Sequence, residues 1–171
     1  MSDELVDIRN LHVHFDIYEG ITKVLNGVNF RVARGEKVGL IGEAGGGKTT
    51  TVKSIMKILP SPPAVISGGE IFLEGDDVLK MSRQELQMMR RKTVSMIFQD
   101  PIAALNPVFK VGNQIGDIIK FSQMALGEKV TEEEIKERTI NVLKEVQMPD
   151  PERLMNSYPI QLSGGMRQRI C

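Results

Sequence analysis

The spacing of apolar and polar residues changes along this chain from a strand pattern to a helical one. Residues 5–32 are rich in strand formers: residues 6–15 alternate in part, residues 18–20 (Tyr-Glu-Gly) are typical of a turn, and residues 28–32 alternate regularly. Residues 69–75 form a further strand pattern between glycines. These runs predict an antiparallel β layer in the first part of the chain.

Two short apolar runs predict additional strands. Residues 37–41 (KVGLI) have strand character and precede a glycine-rich stretch, and residues 94–98 (VSMIF) are continuously apolar. A strand that is covered on both faces need not alternate, so the second run suits a buried parallel strand.

Four segments predict helices from apolar spacing or from their caps: residues 49–59, 82–91, 111–121 and 131–147. Pro60 ends the first of them. Ser82 and Glu85 form a capping box at the start of the second. Thr131 and an acidic first turn open the last, so the chain beyond residue 98 is mainly helical.

The most specific chemical signal lies at residues 42–49, which read Gly42-Glu43-Ala44-Gly45-Gly46-Gly47-Lys48-Thr49. This stretch fits the phosphate-binding loop pattern, with a predicted strand before it and a predicted helix after it. Such a turn points backbone N–H groups and a helix N-terminus at one spot, where glycines let phosphate oxygens approach. Lys48 would reach the β- and γ-phosphates, and the Thr49 hydroxyl would bind Mg²⁺. A glycine-rich turn without a ligand is the alternative, which the flanking elements disfavour.

Composition narrows the class of protein. The 171 residues, 41% of them hydrophobic, suffice for one cored domain with room for a small subdomain. Lys+Arg and Asp+Glu both number 22, so no net charge attracts nucleic acid or acidic lipid. Met1-Ser2-Asp3-Glu4 lacks the features of a secretory signal, and no apolar run approaches the ~18 residues of a membrane span. Together with a single cysteine, Cys171, expected at an ordinary helix position, this predicts a cytosolic location and no nucleic-acid partner.

Two later motifs indicate the family. Gln99-Asp100-Pro101 follows the apolar run at 94–98, and residues 162–169 read LSGGMRQR. The second motif places a Ser cap and two glycines at the start of a helix, which offers a second anion-binding helix N-terminus with a hydroxyl group. A Ser-Gly-Gly turn alone is usually only a turn. Downstream of a phosphate loop, it resembles the signature motif of ATP-binding-cassette (ABC) ATPases, with Met166 in place of the common Gln.

One branch of that family is more similar than the rest. Residues 96–101, 105–108 and 111–115 look like the ATPase subunits of bacterial and archaeal importers of dipeptides, oligopeptides and nickel. Residues 158–159 and 161–169 are similar to the same branch, whose members often carry Met at position 166.

The chain departs from this branch at three positions. Ile160 replaces a common His, and Ala44 and Gly46 stand where Ser is common in the loop. The last two lack a side-chain hydroxyl for phosphate, so the resemblance implies weaker or altered nucleotide contacts without loss of binding.

The resemblance covers essentially the whole chain and implies its fold class. The implied fold is α/β, with a P-loop NTPase (RecA-like) core, an N-terminal antiparallel β layer and a helical subdomain. The implied division is residues 1–98 for the β layer and P-loop core, 99–164 for the helical subdomain and 165–171 for the start of the signature helix.

The resemblance also implies two nucleotide domains that pair head to tail, as a homodimer or a heterodimer. The phosphates of the chain's own ATP would contact Lys48, Thr49 and the amides from Gly45 to Thr50. The γ-phosphate of the partner's ATP would face the signature residues Ser163, Gly164 and Gly165. Gln99 would touch Mg²⁺ or the attacking water and couple the site to the membrane subunits; the alternative is a solvated residue that ends a strand.

An aromatic ring is expected to stack on adenine, because every base offers a π face. Phe15 is the first candidate, by its distance from the strand at Val28, and Tyr18 is the second. Either ring could instead be an ordinary core or surface side chain.

Hydrolysis needs a carboxylate for the metal and a group that positions water. The family places an apolar strand ending in Asp-Glu, and later a His, after the signature helix, whereas this sequence stops at Cys171. The histidines of the chain, His12 and His14, precede the loop by too much to be the switch His and are expected on a strand surface. Its other candidate carboxylates, Asp76, Asp77 and Asp100, are in the wrong context to bind the metal. We therefore expect that these 171 residues alone do not turn over ATP, and that missing strands leave an unpaired sheet edge.

Three functions remain open at this point. The leading hypothesis is an ATPase subunit that powers import of peptides or nickel, peripheral on the cytoplasmic face of a prokaryotic cell membrane. Its partners would be permease subunits and, indirectly, a solute-binding protein. The alternatives are a truncated, catalytically inactive nucleotide-binding fragment and an ABC-type ATPase outside transport, against which residues 96–115 argue. Nothing in the chain identifies the solute.

Overall fold

The antiparallel β layer is present in the computed structural model, which describes residues 4–100 and 104–171. Its strands are β1 Glu4–Ile17, β2 Gly20–Ala33, β3 Ala64–Leu73 and β4 Asp76–Asp77. They form one sheet in the order β2-β1-β3-β4, with antiparallel pairing throughout. Tyr18 and Glu19 form the expected turn between β1 and β2. The predictions for Met1-Ser2-Asp3 and for Pro101 lie outside the described residues.

Alternation along β1 creates the core of this layer. Leu11 and Val13 are fully buried and stand opposite Val28 and Leu25 of β2. Between Ile8 and Leu11 the pairing shifts register, because Asn10 takes a left-handed φ of 47°. The sheet therefore bends at this bulge while its apolar face stays continuous.

Asp7 is the main buried charge of the sheet. It is 4% exposed, and it accepts hydrogen bonds from Nε of Arg9 (2.7 Å) and Nε of Arg31 (3.2 Å). The Arg9 guanidinium also lies 4.9 Å from the centre of the Phe72 ring. Burial raises the pKa of the Asp7 carboxyl, but the two guanidinium groups outweigh it and hold that pKa below its ordinary value.

Asp7 is expected to make the stability of the sheet depend on pH. Because its folded-state pKa is lowered, its contribution is full above the unfolded pKa of about 3.9 and is lost as the pH falls through the lower folded value. Replacing Asp7 by Asn should cost about 1–2 kcal/mol at pH 7, less than a fully buried pair since both arginines reach solvent. Urea unfolding at pH 7 and pH 3 measures this. The gap between wild type and Asp7→Asn should be smaller at pH 3 than at pH 7, and the exposed Asp76→Asn is the control.

Six helices follow in the described residues: α1 Lys48–Ile55, α2 Arg83–Lys92, α3 Val111–Ala125, α4 Glu132–Glu145, α5 Pro151–Leu154 and α6 Gly164–Ile170. A short 3₁₀ helix spans Pro159–Gln161. None of the described helices is long and apolar enough to cross a bilayer. The chain divides into two compact units, Met1–Gln87 and Met88–Cys171, with α2 across the boundary.

The helix starts follow the predicted cap chemistry. The Ser82 amide donates to Oε2 of Glu85 (2.7 Å), while the Glu85 amide donates to Oγ of Ser82 (3.3 Å). Thr131 and Glu134 make the same reciprocal box at α4. Both capping predictions are confirmed, whereas α1 ends at Ile55, earlier than the predicted residue 59.

The second unit has its own apolar cluster, which we call the helical core. Its buried members come from α3, α4, α5 and the segments around them: Val111, Ile115, Leu143, Met148, Leu154 and Leu162. Gly112 allows α3 to approach the backbone near α5, where its amide donates to the Met155 carbonyl at 3.0 Å. A Cβ at Gly112 would lie 2.7 Å from that oxygen, so close packing here requires glycine.

The predicted strands at residues 37–41 and 94–98 are wrong for this structure. Both segments are irregular, and their apolar side chains reach solvent: Ile41 is 96% exposed and Ile97 is 73% exposed. A strand exists only when a neighbour satisfies its backbone groups, and no strand within residues 4–100 and 104–171 pairs with either run. The sequence of each run shows that it is apolar, but whether it forms a strand depends on backbone pairing with a neighbouring strand.

Candidate nucleotide-binding site

The loop at residues 42–49 leads from an irregular segment directly into α1. Gly45 and Gly47 take left-handed φ angles of 81° and 80°. The Gly46 amide donates to the Glu43 carbonyl at 3.1 Å, and the Thr51 amide donates to Gly47 at 2.8 Å. The loop is thus a tight turn with its exposed backbone at the start of a helix, as the sequence predicts.

Lys48 folds back along this turn. Its Nζ donates to the carbonyls of Gly42 at 2.7 Å and Glu43 at 2.6 Å. Since these carbonyls belong to the first residues of the loop, the two bonds hold the lysine side chain against the turn. The loop therefore holds the ammonium group of Lys48 beside its backbone.

The residues present fit a phosphate group. Gly47 caps α1, and a Cβ there would lie 2.7 Å from Cδ2 of Leu25 and 3.3 Å from the Val24 carbonyl. The first turn of α1 contains no carboxylate that would repel an anion. Backbone N–H groups, one ammonium and the exposed Thr49 together form a donor set that matches phosphate oxygens.

Metal binding at this loop would depend on few protein ligands. Within the described residues, no group of three or more His, Cys, Asp or Glu side chains could hold a metal ion. Mg²⁺ commonly takes only one or two protein ligands and otherwise water and phosphate oxygens, so a single hydroxyl such as that of Thr49 is compatible with it.

Ala44 stands where related loops commonly carry Ser, so restoring that hydroxyl tests whether it contributes to phosphate binding. Ala44 is exposed in the loop, so Ala44→Ser should add a donor to phosphate without repacking. A neutral hydrogen bond contributes about 0.5–1.5 kcal/mol, which corresponds to roughly 3–10-fold tighter ATP binding. Calorimetric titration measures the change, with Ala125→Ser at the end of α3 as the control. An unchanged affinity in Ala44→Ser would refute the expectation.

The two adenine candidates lie in the same unit as the loop. Phe15 is half-buried in β1, opposite Thr22 and Ala64. Tyr18 occupies the hairpin turn and its ring is fully exposed. Both rings therefore remain candidates, since each exposes at least part of its surface.

The remaining predicted site residues belong to the second unit. Gln99 is exposed in an irregular segment, not at the end of a strand. Ser163 caps α6 as predicted, with its Oγ accepting from the Met166 amide at 3.3 Å. Gly164 and Gly165 form the exposed first turn of that helix.

The residues that the sequence analysis excluded as catalytic groups lie in the sheet or in contacts that stabilise the fold. Asp77 accepts from the Leu79 amide at 3.0 Å and pairs with Lys80 at 2.8 Å, which lowers its pKa. His12 and His14 lie in β1 as expected but are half-buried, because neighbouring strands flank them. Cys171 is a half-buried thiol just after α6.

Sequence reasoning missed Arg169. Its Nη1 donates to the carbonyls of Gln147 at 2.8 Å and Val146 at 3.3 Å, next to the end of α4. A basic residue in the last turn of α4 itself would have been recognisable from the sequence as a partner for these carbonyls. Arg169, however, lies 22 and 23 positions away from them.

Curated relatives resemble the chain over nearly its whole length. It is 41% identical over 166 residues to the oligopeptide transport ATP-binding protein OppD of Bacillus subtilis (strain 168), covering 97% of this chain and 45% of that protein. It is 40% identical over 170 residues to the probable D,D-dipeptide transport ATP-binding protein DdpD of Escherichia coli (strain K12), covering 99% and 50%. The chain thus spans about half the length of the curated relatives it matches.

Solved structures share the fold. The dimeric structure of MJ0796, a bacterial ABC transporter cassette, matches with a TM-score of 0.82 at 25% identity, over 96% of this chain and 66% of that one. A post-hydrolysis dimer of the same cassette, bound to ADP and Pi, matches equally well. The expected fold class, an α/β P-loop cassette with an antiparallel β layer and a helical part, is therefore confirmed. The family model for the ABC transporter matches residues 25–171, and the chain belongs to that family.

Proposed function

We propose that this chain binds ATP at residues 42–49 and is the nucleotide-binding part of an ATPase subunit that powers peptide import. The observation that carries the proposal is the loop itself, where left-handed glycines, the start of α1 and the Lys48 ammonium converge. The names of the relatives, which refer to oligopeptide and dipeptide transport, support peptides as the solute. Nickel is the alternative solute, and no relative named above supports it.

Each loop residue has a distinct task in this proposal. ATP would supply the phosphoryl group, and amides within the segment from Gly45 to Thr50 would bind its phosphate oxygens; the Gly46 amide, which donates to the Glu43 carbonyl here, would have to change partner to take part. Lys48 would neutralise negative charge on the β- and γ-phosphates, and Thr49 would contribute a hydroxyl to Mg²⁺. By the family resemblance, Gln99 would orient the attacking water or the metal. Phe15, or else Tyr18, stacks on the base.

The second half of each site comes from another cassette. Dimeric cassettes are among the solved structures that share the fold. In a head-to-tail pair, Ser163, Gly164 and Gly165 would face the γ-phosphate of the partner's ATP. The subunit would act beside permease subunits on the cytoplasmic face of the membrane. Residues 1–98 and 99–164 are proposed as its β layer with P-loop core and its helical subdomain.

Two measurements test this function separately. Calorimetry of the purified chain with ATP and Mg²⁺ tests nucleotide binding. Uptake of a labelled tripeptide and of radioactive nickel, in cells whose gene carries Lys48→Ala or the control Lys37→Ala, tests the solute. We expect only Lys48→Ala to abolish peptide uptake while nickel uptake persists. Loss of nickel uptake alone would overturn the peptide assignment, and lack of ATP binding would overturn the function as a whole.

A further inference from the structure

One face of α6 is fixed to the helical core. Met166 and Ile170 are partly buried and pack against that cluster. Arg169 lies on the same face, because residues three and four apart on a helix are neighbours. Gln168 is exposed. The helix that follows Ser163 is therefore held to the helical core through Met166 and Ile170.

Arg169 adds a polar contact to this apolar one. Its Nη1 donates to Gln147 (2.8 Å) and to Val146 (3.3 Å), and Val146 caps the C-terminus of α4. Carbonyls at a helix end lack partners within the helix and carry the negative end of its dipole. A guanidinium group suits them because it is cationic and offers several donors in one plane. Arg169 thus joins the end of α4 to α6.

The backbone at the end of α4 is well defined. Gln147 takes a left-handed φ of 55°, and the Met148 amide closes the turn on the Leu143 carbonyl at 2.9 Å. Leu143 and Met148 also belong to the helical core. The acceptors of Arg169 are therefore fixed by the same cluster that Met166 contacts, so the guanidinium has a rigid anchor.

We propose that Arg169 is a positioning residue for phosphoryl transfer: by tying α6 to the end of α4, it fixes where Ser163 stands. This rests on the proposed function, in which Ser163 faces the partner's ATP. Ser163 caps α6 through the Met166 amide, so any tilt or fraying of that helix displaces the hydroxyl. A misplacement of about 1 Å can cost roughly 10²-fold in rate. Within one chain, ATP binding at residues 42–49 does not involve α6, so the affinity of the purified chain for ATP should be unaffected.

Two substitutions of Arg169, a control at Arg138 and Ser163→Ala test this role. Arg169→Met keeps the length and the apolar stem but removes the donors, and Arg169→Lys keeps the charge. Arg138→Met makes the same chemical change at an exposed position of α4. Steady-state ATP hydrolysis by the assembled transporter gives kcat and KM. Amide hydrogen exchange of the purified chain reports the order of residues 163–168.

Arg169→Met should lower kcat about 5–20-fold and leave KM for ATP within about twofold. It should also speed exchange at residues 163–168 at least about fivefold, while residues 111–125 stay protected. Arg169→Lys should fall between, and Arg138→Met should match wild type.

Three results would overturn the proposal. The first is unchanged exchange at residues 163–168 in Arg169→Met. The second is an unchanged kcat in Arg169→Met when Ser163→Ala does lower kcat. This second result would leave the proposed function intact. If Ser163→Ala also leaves kcat unchanged, the proposed role of Ser163 fails together with that of Arg169. Circular dichroism would detect unfolding of Arg169→Met. In that case, the kcat and the hydrogen exchange of Arg169→Lys would test the proposal.

Discussion

Lys48→Ala is expected to weaken ATP binding at least about 100-fold. The ammonium already lies against the loop, held by the carbonyls of Gly42 and Glu43, so little ordering is required when phosphate arrives. Charge-assisted hydrogen bonds contribute about 1.5–3 kcal/mol each, and two phosphates accept from the same group. A loss near 3 kcal/mol corresponds to about 100-fold in Kd. Calorimetric titration with ATP and Mg²⁺ measures it directly.

Two control variants show whether ATP binding depends on the positive charge of Lys48, on its position in the loop, or on both. Lys37→Ala removes an exposed lysine that precedes the loop, and it should bind ATP like wild type. Lys48→Arg keeps the charge but changes the geometry, and it should recover only part of the affinity. Binding by Lys48→Ala within about threefold of wild type would exclude the loop as the phosphate site.

Gly69→Ala is expected to lower the free energy of unfolding by about 3 kcal/mol or more. Gly69 in β3 has a φ of 94°, which L side chains rarely adopt. A Cβ there would press on the Asn10 carbonyl and lie 2.6 Å from Cα of Leu11 and 2.7 Å from the Arg9 carbonyl. All three neighbours are backbone atoms of β1, so none can rotate away. Strain of about 1–3 kcal/mol and overpacking of similar size therefore add.

Gly75→Ala is the matched control for this effect. Its φ of 92° carries the same conformational strain, but nothing lies within 4 Å of an added Cβ. We expect Gly75→Ala to cost only about 1–2 kcal/mol in urea unfolding. Equal losses in the two variants would show that φ alone matters and that the approach of β3 to β1 does not.

Features that depend on near neighbours in the sequence were predictable. The capping pairs Ser82 with Glu85 and Thr131 with Glu134 span three residues, and both form as expected. The turn at Tyr18 and the glycine-rich loop are also local, because φ preferences and caps act over a few residues.

Features that depend on distant partners were not predictable. The apolar run around Leu40 has the composition of a strand, but no pattern states whether a neighbour will pair with it. Asp7 meets Arg31 across 24 positions, and Arg169 meets Gln147 across 22. Charges at such separations fit many arrangements, so only the folded register of the strands and helices selects these pairs.

The hairpin of β1 and β2 has a consequence for the order of folding during synthesis. Its two strands are joined by the turn at Tyr18 and Glu19, so they can pair as soon as they leave the ribosome, and isolated hairpins form within about 1–10 μs. β3 must then join β1 after the whole segment with the phosphate loop has been made. Non-local pairing is slower than local pairing because a long loop has to close. The phosphate loop is therefore tethered at its first end to a formed hairpin before its second end is fixed.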